Sequence, residues 1–243
     1  MKKTYIFLAI AAIAVLAVYM LLPKREFREV MFPVTEGTSI DKYDDKSDGG
    51  SSEADLKLAD SSVSFSCTLG MDTAQPAWCG LLWNFDPENK KNYRNWTFVD
   101  TVFIDVESSG TDEIIVKVWT YDPDVTDVGN PATFKLLLKE VPLKSGENRV
   151  AVPMEHFYTP DFWYGTAGVD TKFNKRHQEN VARVEIVPGW KHPRGKPFTV
   201  VVKNFTAVGV SNLYFGIVLA VFILLTIIAV GLRHKTGRNE DKE

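Results

Sequence analysis

The chain of 243 residues has little cysteine and histidine, two of the side chains on which catalysis and metal binding often depend. It contains two cysteines and four histidines, and the histidines are isolated from one another, so they form no spaced set of metal ligands. Phosphate-binding loops and the Gly-x-Ser-x-Gly and His-Glu-x-x-His motifs do not occur. The formal net charge of −3 offers no basic excess for nucleic acid. We therefore expect no enzyme, no cofactor, no metal site and no nucleic-acid partner.

Long uncharged segments, by contrast, are present at both ends. Residues 213–232 carry no charge and no proline, and a helix of that length, at about 1.5 Å per residue, spans a hydrocarbon core of about 30 Å. Arg233, Lys235 and Arg238 follow directly. By the positive-inside rule, residues 213–232 are predicted to be a transmembrane helix and residues 233–243 a short cytoplasmic tail.

The apolar segment at residues 4–22 follows a short positive start, residues 1–3, and has two interpretations. A cleaved signal peptide has an apolar region of about 7 to 15 residues that ends in a small-x-small site. This apolar run is longer, and Tyr19 takes the place of a small residue in the best candidate cleavage site, so we expect an uncleaved signal anchor. Both termini are then cytoplasmic. The lysine-rich start is typical of bacteria, which predicts a two-pass inner-membrane protein whose main domain is periplasmic.

The residues between the two apolar segments fall into two parts. Residues 23–54 include an acidic stretch rich in glycine and serine, which predicts a solvated linker. Residues 55–210 alternate apolar and polar side chains between turn signals, which predicts a mainly β fold, a jelly-roll β-sandwich between the two transmembrane helices. Strands are predicted near residues 55–58, 62–69, 77–85, 99–107, 113–121, 133–139, 149–152, 181–187 and 198–208. Residues 156–178 are predicted to form a long aromatic loop.

Three of the predicted strands separate into an aliphatic face and a face of mixed charge and aromatic rings. The aliphatic face should point to the core. Aromatic rings stack on pyranose rings, and charged groups hydrogen-bond sugar hydroxyls, so the other face could bind a saccharide; the alternative is a solvated face with cross-strand ion pairs. The candidate ligand-binding residues are Asp105, Glu107, Lys117, Trp119, Tyr121, Arg183 and Glu185.

A catalytic use of two of these residues is disfavoured. Asp105 and Glu107 lie two positions apart on one predicted strand, whereas glycosidase carboxylates flank the scissile bond from two sides.

The two cysteines are predicted to form a disulfide. Cys67 and Cys79 lie in successive predicted strands, and a hairpin would place them opposite each other. In an oxidising periplasm they should pair, and the bridge would contribute roughly 3 kcal/mol.

The most distinctive run is Phe157–Tyr164, FYTPDFWY, which lies between the predicted strands at residues 149–152 and 181–187. Together with Trp96–Val102 and Val118–Tyr121 it resembles the galactose-binding-like jelly rolls that serve as extracytoplasmic sensor domains of bacterial membrane receptors, and these are similar to carbohydrate-binding modules. The resemblance implies a domain that binds a saccharide or envelope glycan. Such receptors continue into an output domain, which is missing here, so signalling would require a partner membrane protein.

Two further alternatives remain open. The chain could instead be a structural or scaffolding subunit of an envelope complex, with no small ligand. The Phe157–Tyr164 run, and likewise Trp78, Trp83 and Trp190, could either close the core or form a ligand rim.

Small residues on the second apolar segment suggest a packing surface between helices. Gly216 and Ala220 form a small-xxx-small pair, and close packing of small residues favours helix association in lipid. We expect this face to contact either the first helix or a helix of a partner.

Overall fold

The computed structural model of the chain describes residues 2–22, 26–34 and 37–240. Helices α1 (Lys2–Leu21) and α3 (Leu213–Glu240) flank a strand-rich domain. The chain divides into two compact units, one made of the two terminal segments and the other of residues 27–209. Met1, residues 23–25 and 35–36 of the predicted linker, and residues 241–243 of the predicted tail lie outside the described residues.

The domain is mainly β, as predicted. Its strands and its one longer helical turn are β1 (Glu26–Phe32), β2 (Ser39–Asp44), β3 (Glu53–Ala59), β4 (Ser62–Thr68), β5 (Cys79–Asn84), β6 (Thr101–Ser109), β7 (Glu113–Thr120), β8 (Lys135–Pro142), β9 (Gly146–Pro153), α2 (Asp161–Ala167), β10 (Val181–Pro188) and β11 (Pro197–Val210).

The strands form two sheets that enclose the core. Sheet A has the order β3-β4-β11-β6-β9, with β1 also paired to β11, and sheet B has the order β2-β5-β10-β7-β8. Neighbouring strands pair antiparallel. The predicted aliphatic faces point inward, where Trp83 meets Phe205 edge-to-face at 4.8 Å. The jelly-roll sandwich is confirmed, and Trp83 belongs to its core.

The predicted linker is part of this sandwich rather than a tether. Strand β1 buries Met31 and Phe32, and β2 pairs with β5 along its whole length while Ile40 packs against the core. Prediction favours a linker here because the surrounding stretch is acidic and rich in glycine and serine, a composition typical of solvated segments. Sheet B is antiparallel and packs one face on the core, so only one face of β2 needs apolar side chains.

A buried carboxylate fixes the chain after β2. Asp45 is 1% exposed and accepts hydrogen bonds from Ser52 N (2.8 Å), Ser52 Oγ (2.6 Å) and Trp78 N (3.1 Å). Burial alone would raise the pKa of Asp45, but these hydrogen bonds outweigh it and lower the pKa below its usual value. The turn at residues 45–52 is therefore bonded to the loop before β5.

The predicted disulfide between Cys67 and Cys79 is present, with its Cα atoms 6.4 Å apart. The expected hairpin was wrong, however. Strand β4 belongs to sheet A and β5 to sheet B, so the chain crosses from one sheet to the other between the cysteines. The bridge ties the two sheets together through the core.

The aromatic segment after β9 both closes the core and covers part of sheet B. Phe157 lies in the main core. The expected loop contains α2, whose Trp163 packs with Ile115, Leu136 and Leu138 in a second apolar cluster. Because Ile115 alternates with the core residues of β7, this cluster lies on the outer face of sheet B.

Helices α1 and α3 are both long and apolar enough to cross a membrane, over Thr4–Leu21 and Leu213–Leu232. They contact each other through α3 residues such as Val218 and Val221, which line a shared groove with Val15 and Tyr19 of α1. Gly216 and Ala220 are exposed, and a Cβ added to Gly216 would meet nothing within 4 Å. The expected contact with α1 is therefore wrong, and a contact with a partner's helix stays a prediction.

Candidate functional site

The outer face of sheet B contains a groove of about 990 Å³ beside the cluster under α2. Its floor is formed by outward-facing side chains of neighbouring strands, because alternate residues of each strand point away from the core. The floor residues are Tyr43 of β2, Leu82 of β5, Arg183 and Glu185 of β10, and Lys117 and Trp119 of β7. Register places Glu185 between Leu82 and Lys117, and Arg183 beside Trp119.

Glu185 is the centre of the floor. Its side chain is 5% exposed, and both of its oxygens face groups of this chain. Tyr43 donates its hydroxyl to Oε2 at 2.8 Å, Arg183 Nε lies 3.0 Å from Oε1, and Lys117 Nζ lies 3.8 Å from Oε2. One hydrogen bond and two nearby cations compensate the buried charge of Glu185, so its main role is to hold the surrounding groups in place.

The position of Tyr43 depends on a glycine in the neighbouring strand. A Cβ on Gly80, its register partner, would lie only 2.4 Å from the Tyr43 ring. The ring therefore lies flat over Gly80 and directs its hydroxyl to Glu185. Burial, followed by the Glu185 charge and hydrogen bond, raises the pKa of Tyr43 well above its ordinary value, so the phenol stays a donor.

Lys117 and Arg183 bring two positive charges to this single carboxylate. Burial lowers the pKa of Lys117, Arg183 lowers it further, and Glu185 opposes both. The Arg183 guanidinium stacks on the Trp119 ring at 4.4 Å, which fixes both planes. Within the described part of the chain, the indole N–H of Trp119 is buried and has no hydrogen-bond acceptor.

Aromatic side chains from outside the floor form the rim. Trp190, in the turn after β10, is 55% exposed and packs edge-to-face with Phe162 of α2 at 6.1 Å. Glu140 accepts hydrogen bonds from Trp190 Nε1 (2.9 Å) and from the Tyr158 hydroxyl (2.6 Å). The bond to Glu140 raises the pKa of Tyr158 to about 12. The half-buried Trp78 and the exposed Asp48 also line the groove.

The structure divides the predicted ligand residues among three places. Lys117, Trp119, Arg183 and Glu185 lie together in the groove. Tyr121 follows the end of β7 and stacks on Tyr93 with ring centroids 5.1 Å apart.

Asp105 and Glu107 lie on the outer face of the other sheet, because β6 belongs to sheet A. There Glu107 pairs with Lys203 at 3.1 Å, and Asp105 lies 3.9 Å from Arg149. That face has the exposed cross-strand ion pairs that were the alternative interpretation. The seven residues therefore do not form one surface, and this pair is not in the groove.

Sequence reasoning did not identify two residues of the site. Tyr43 was missed because it lies in the segment predicted as a linker. Glu140 was missed because strand β8 was predicted to end at residue 139. Only the alternation of Leu136, Leu138 and Glu140 on one face of β8 could have indicated its position. Among the described residues, no group of three or more metal-ligating side chains comes together.

Comparisons with known proteins bear on the fold. No protein-family model matches the chain, and no curated protein matches it either. The family 11 carbohydrate-binding module of the cellulosomal cellulase Lic26A-Cel5E of Clostridium thermocellum is similar in structure, with a TM-score of 0.50, 13% identity, and coverage of 77% of this chain and 96% of that chain. The family 11 module from the same organism in complex with a β-1,3-1,4-mixed-linked tetrasaccharide gives a TM-score of 0.50 at 14% identity, and covers 78% of this chain and 98% of that chain. The domain thus has the galactose-binding-like jelly-roll fold of carbohydrate-binding modules, as the resemblance implied.

Proposed function

We propose that this protein is a membrane-anchored, extracytoplasmic saccharide-binding protein whose ligand occupies the groove on sheet B. The observation that carries the proposal is the composition of that groove. Trp119, Trp190 and Tyr43 offer ring faces, while the charges of the floor offer hydrogen-bond donors in fixed positions. Sugars present apolar ring faces and rows of hydroxyl groups, so they match such a surface.

The surrounding structure supports binding to a preformed site. Glu185 orients Tyr43 and Arg183, Arg183 holds the Trp119 ring, and Glu140 holds Trp190. Side chains that are already fixed lose little conformational freedom when a ligand binds. The similarity to a module that was solved with a mixed-linked tetrasaccharide is consistent with this proposal.

The proposed location is the bacterial inner membrane, with the domain in the periplasm. The two apolar helices fit a two-pass membrane protein, and the Cys67–Cys79 disulfide fits an oxidising compartment. We further propose that the protein acts without catalysis and signals through a partner membrane protein.

A glycan array tests the binding function. The full-length protein should be used in a detergent without a sugar headgroup, so that the detergent cannot compete for the groove. We expect saturable binding to at least one glycan, and loss of that binding in Trp119→Ala. Lys203→Gln, on the outer face of sheet A, is the matched control and should bind like the wild type. Failure of a folded wild-type protein to bind any glycan would contradict the proposal and favour the scaffolding alternative.

A further inference from the structure

The groove floor holds more positive charge than its single carboxylate, Glu185, can neutralise. Lys117 and Arg183 both face Glu185, and Tyr43 is already the close partner of Oε2. The Lys117 ammonium lies 3.8 Å from that oxygen, beyond hydrogen-bond distance, and no described residue accepts a hydrogen bond from it. Its side chain is 19% exposed and lines the groove, so the ammonium can be reached from the groove and has no close acceptor.

Two further carboxylates near the groove are screened or already engaged. Asp48 lines the groove but is exposed, so solvent screens its charge. Glu140, at the other rim, is occupied by Trp190 and Tyr158 and lies 3.9 Å from Lys139. The Trp119 indole N–H is a further donor in the floor without an acceptor in the described part of the chain. A buried donor is costly unless an acceptor meets it, and an accessible ammonium without a close acceptor can bind an anion.

We infer that the ligand is an anionic saccharide, and that a sugar carboxylate of the uronic acid type binds Lys117 in the groove beside Arg183. This inference rests on the proposed function, because it names the class of saccharide for the same groove. A uronate carries a carboxylate on the pyranose ring, so one residue of the glycan offers a ring face for Trp119 and an anion for Lys117. Charge-assisted hydrogen bonds of this kind are roughly twice as strong as neutral ones.

Matched pairs of oligosaccharides distinguish the contribution of charge to the binding affinity from the contribution of sugar shape. The first pair is a β-1,4-linked glucose tetrasaccharide and its C6-oxidised glucuronate counterpart. The second pair is an α-1,4-linked galacturonate tetrasaccharide and its fully methyl-esterified form. Isothermal titration of full-length protein, in a sugar-free detergent, should show that the acid of at least one pair binds about tenfold more tightly than its neutral partner. That affinity should fall as the NaCl concentration rises.

Variants assign the effect to one side chain. Lys117→Gln should reduce the ratio of acid to neutral affinity to about one, and Lys117→Arg should retain most of it, because the charge is kept. Lys203→Gln removes a lysine from the outer face of sheet A and should leave the ratio unchanged. A similar unfolding transition in each variant shows that the fold is intact.

The outcomes distinguish this inference from the proposed function. If neutral saccharides bind as tightly as their acids in both pairs, the inference is wrong while saccharide binding stands. If the preference for acids survives in Lys117→Gln, the assignment to Lys117 is wrong. If neither these oligosaccharides nor any arrayed glycan binds, both proposals fail.

Discussion

Asp45 shows how a single side chain can convert an acidic, glycine-rich stretch into folded structure. Its carboxylate is buried and accepts hydrogen bonds from Ser52 and from the backbone of Trp78. A left-handed glycine, Gly49 (φ 83°), lets the chain turn sharply enough for these bonds to form. Composition alone predicts a solvated segment here. Nothing in the local sequence distinguishes Asp45, which is buried, from the exposed acidic residues around it.

Replacing Asp45 with asparagine should therefore destabilise the domain. The Asn amide would direct an N–H₂ group at donors, and the loss should be about 1–3 kcal/mol in the free energy of unfolding. Urea denaturation of the full-length protein, followed by tryptophan fluorescence, measures it. Asp48→Asn, an exposed position in the same turn, should change little, and equal effects of the two variants would contradict the assigned role.

The pH dependence of the same variant provides a second readout. The pKa of Asp45 is lower in the folded state than in the unfolded chain. Its contribution to stability is therefore present above the unfolded carboxyl pKa and is lost as the pH falls through the folded value. The difference in stability between wild type and Asp45→Asn should shrink as the pH falls through this range, and a difference that grows with acidity would contradict the lowered pKa.

At the scale of elements, the edge strand β2 completes the groove. It carries Tyr43 onto the floor and pairs with β5 from Ser39 to Asp44. An edge strand is bonded on one side only, so about every second amide faces the sheet. A linker would leave all of these amides in water.

Hydrogen–deuterium exchange should distinguish a strand from a linker at residues 39–44. We expect about half of the amides in this segment to exchange slowly, because they are hydrogen-bonded to β5. Uniformly fast exchange across residues 39–44 would show that β2 is not formed.

The disulfide is a second element-level feature, since it joins strands of different sheets. Replacing both cysteines with serine should lower the free energy of unfolding by roughly 3 kcal/mol, mainly because the unfolded chain gains freedom. Mass spectrometry of non-reduced protein should find the linked Cys67 and Cys79 peptides. Two free thiols in protein from the oxidising compartment, or unchanged stability in the double variant, would contradict this.

At the scale of the whole molecule, the two apolar helices lie at opposite ends of the sequence, and the domain lies between them in the chain. This order predicts that both chain termini lie on the cytoplasmic side and the domain on the other. A reporter that is active only in the periplasm should be active when fused after Gly146 and silent when fused after Glu243. Activity at Glu243 would contradict the predicted topology. A mature chain that begins between Ala17 and Lys24 would contradict the predicted signal anchor.

The sequence by itself determined the features that depend on local pattern. The helices Thr4–Leu21 and Leu213–Leu232 follow from uninterrupted apolar residues, and strands such as β7 follow from their period-two alternation. The same alternation correctly directed Lys117, Trp119, Arg183 and Glu185 away from the core. The pairing of the cysteines was also predicted, from their expected compartment and from a hairpin that the structure does not contain.

Only the tertiary structure decided which outward-facing residues share a surface. Alternation indicates that a side chain points away from the core, but it does not indicate in which of the two sheets its strand lies. The sequence therefore could not show that Asp105 and Glu107 lie outside the groove. The same uncertainty concealed that the disulfide crosses between sheets. Strand β2, with Tyr43, depends on its pairing to β5 and on the space left by Gly80. Strand order is set by contacts between residues distant in sequence, and these carry no local signal.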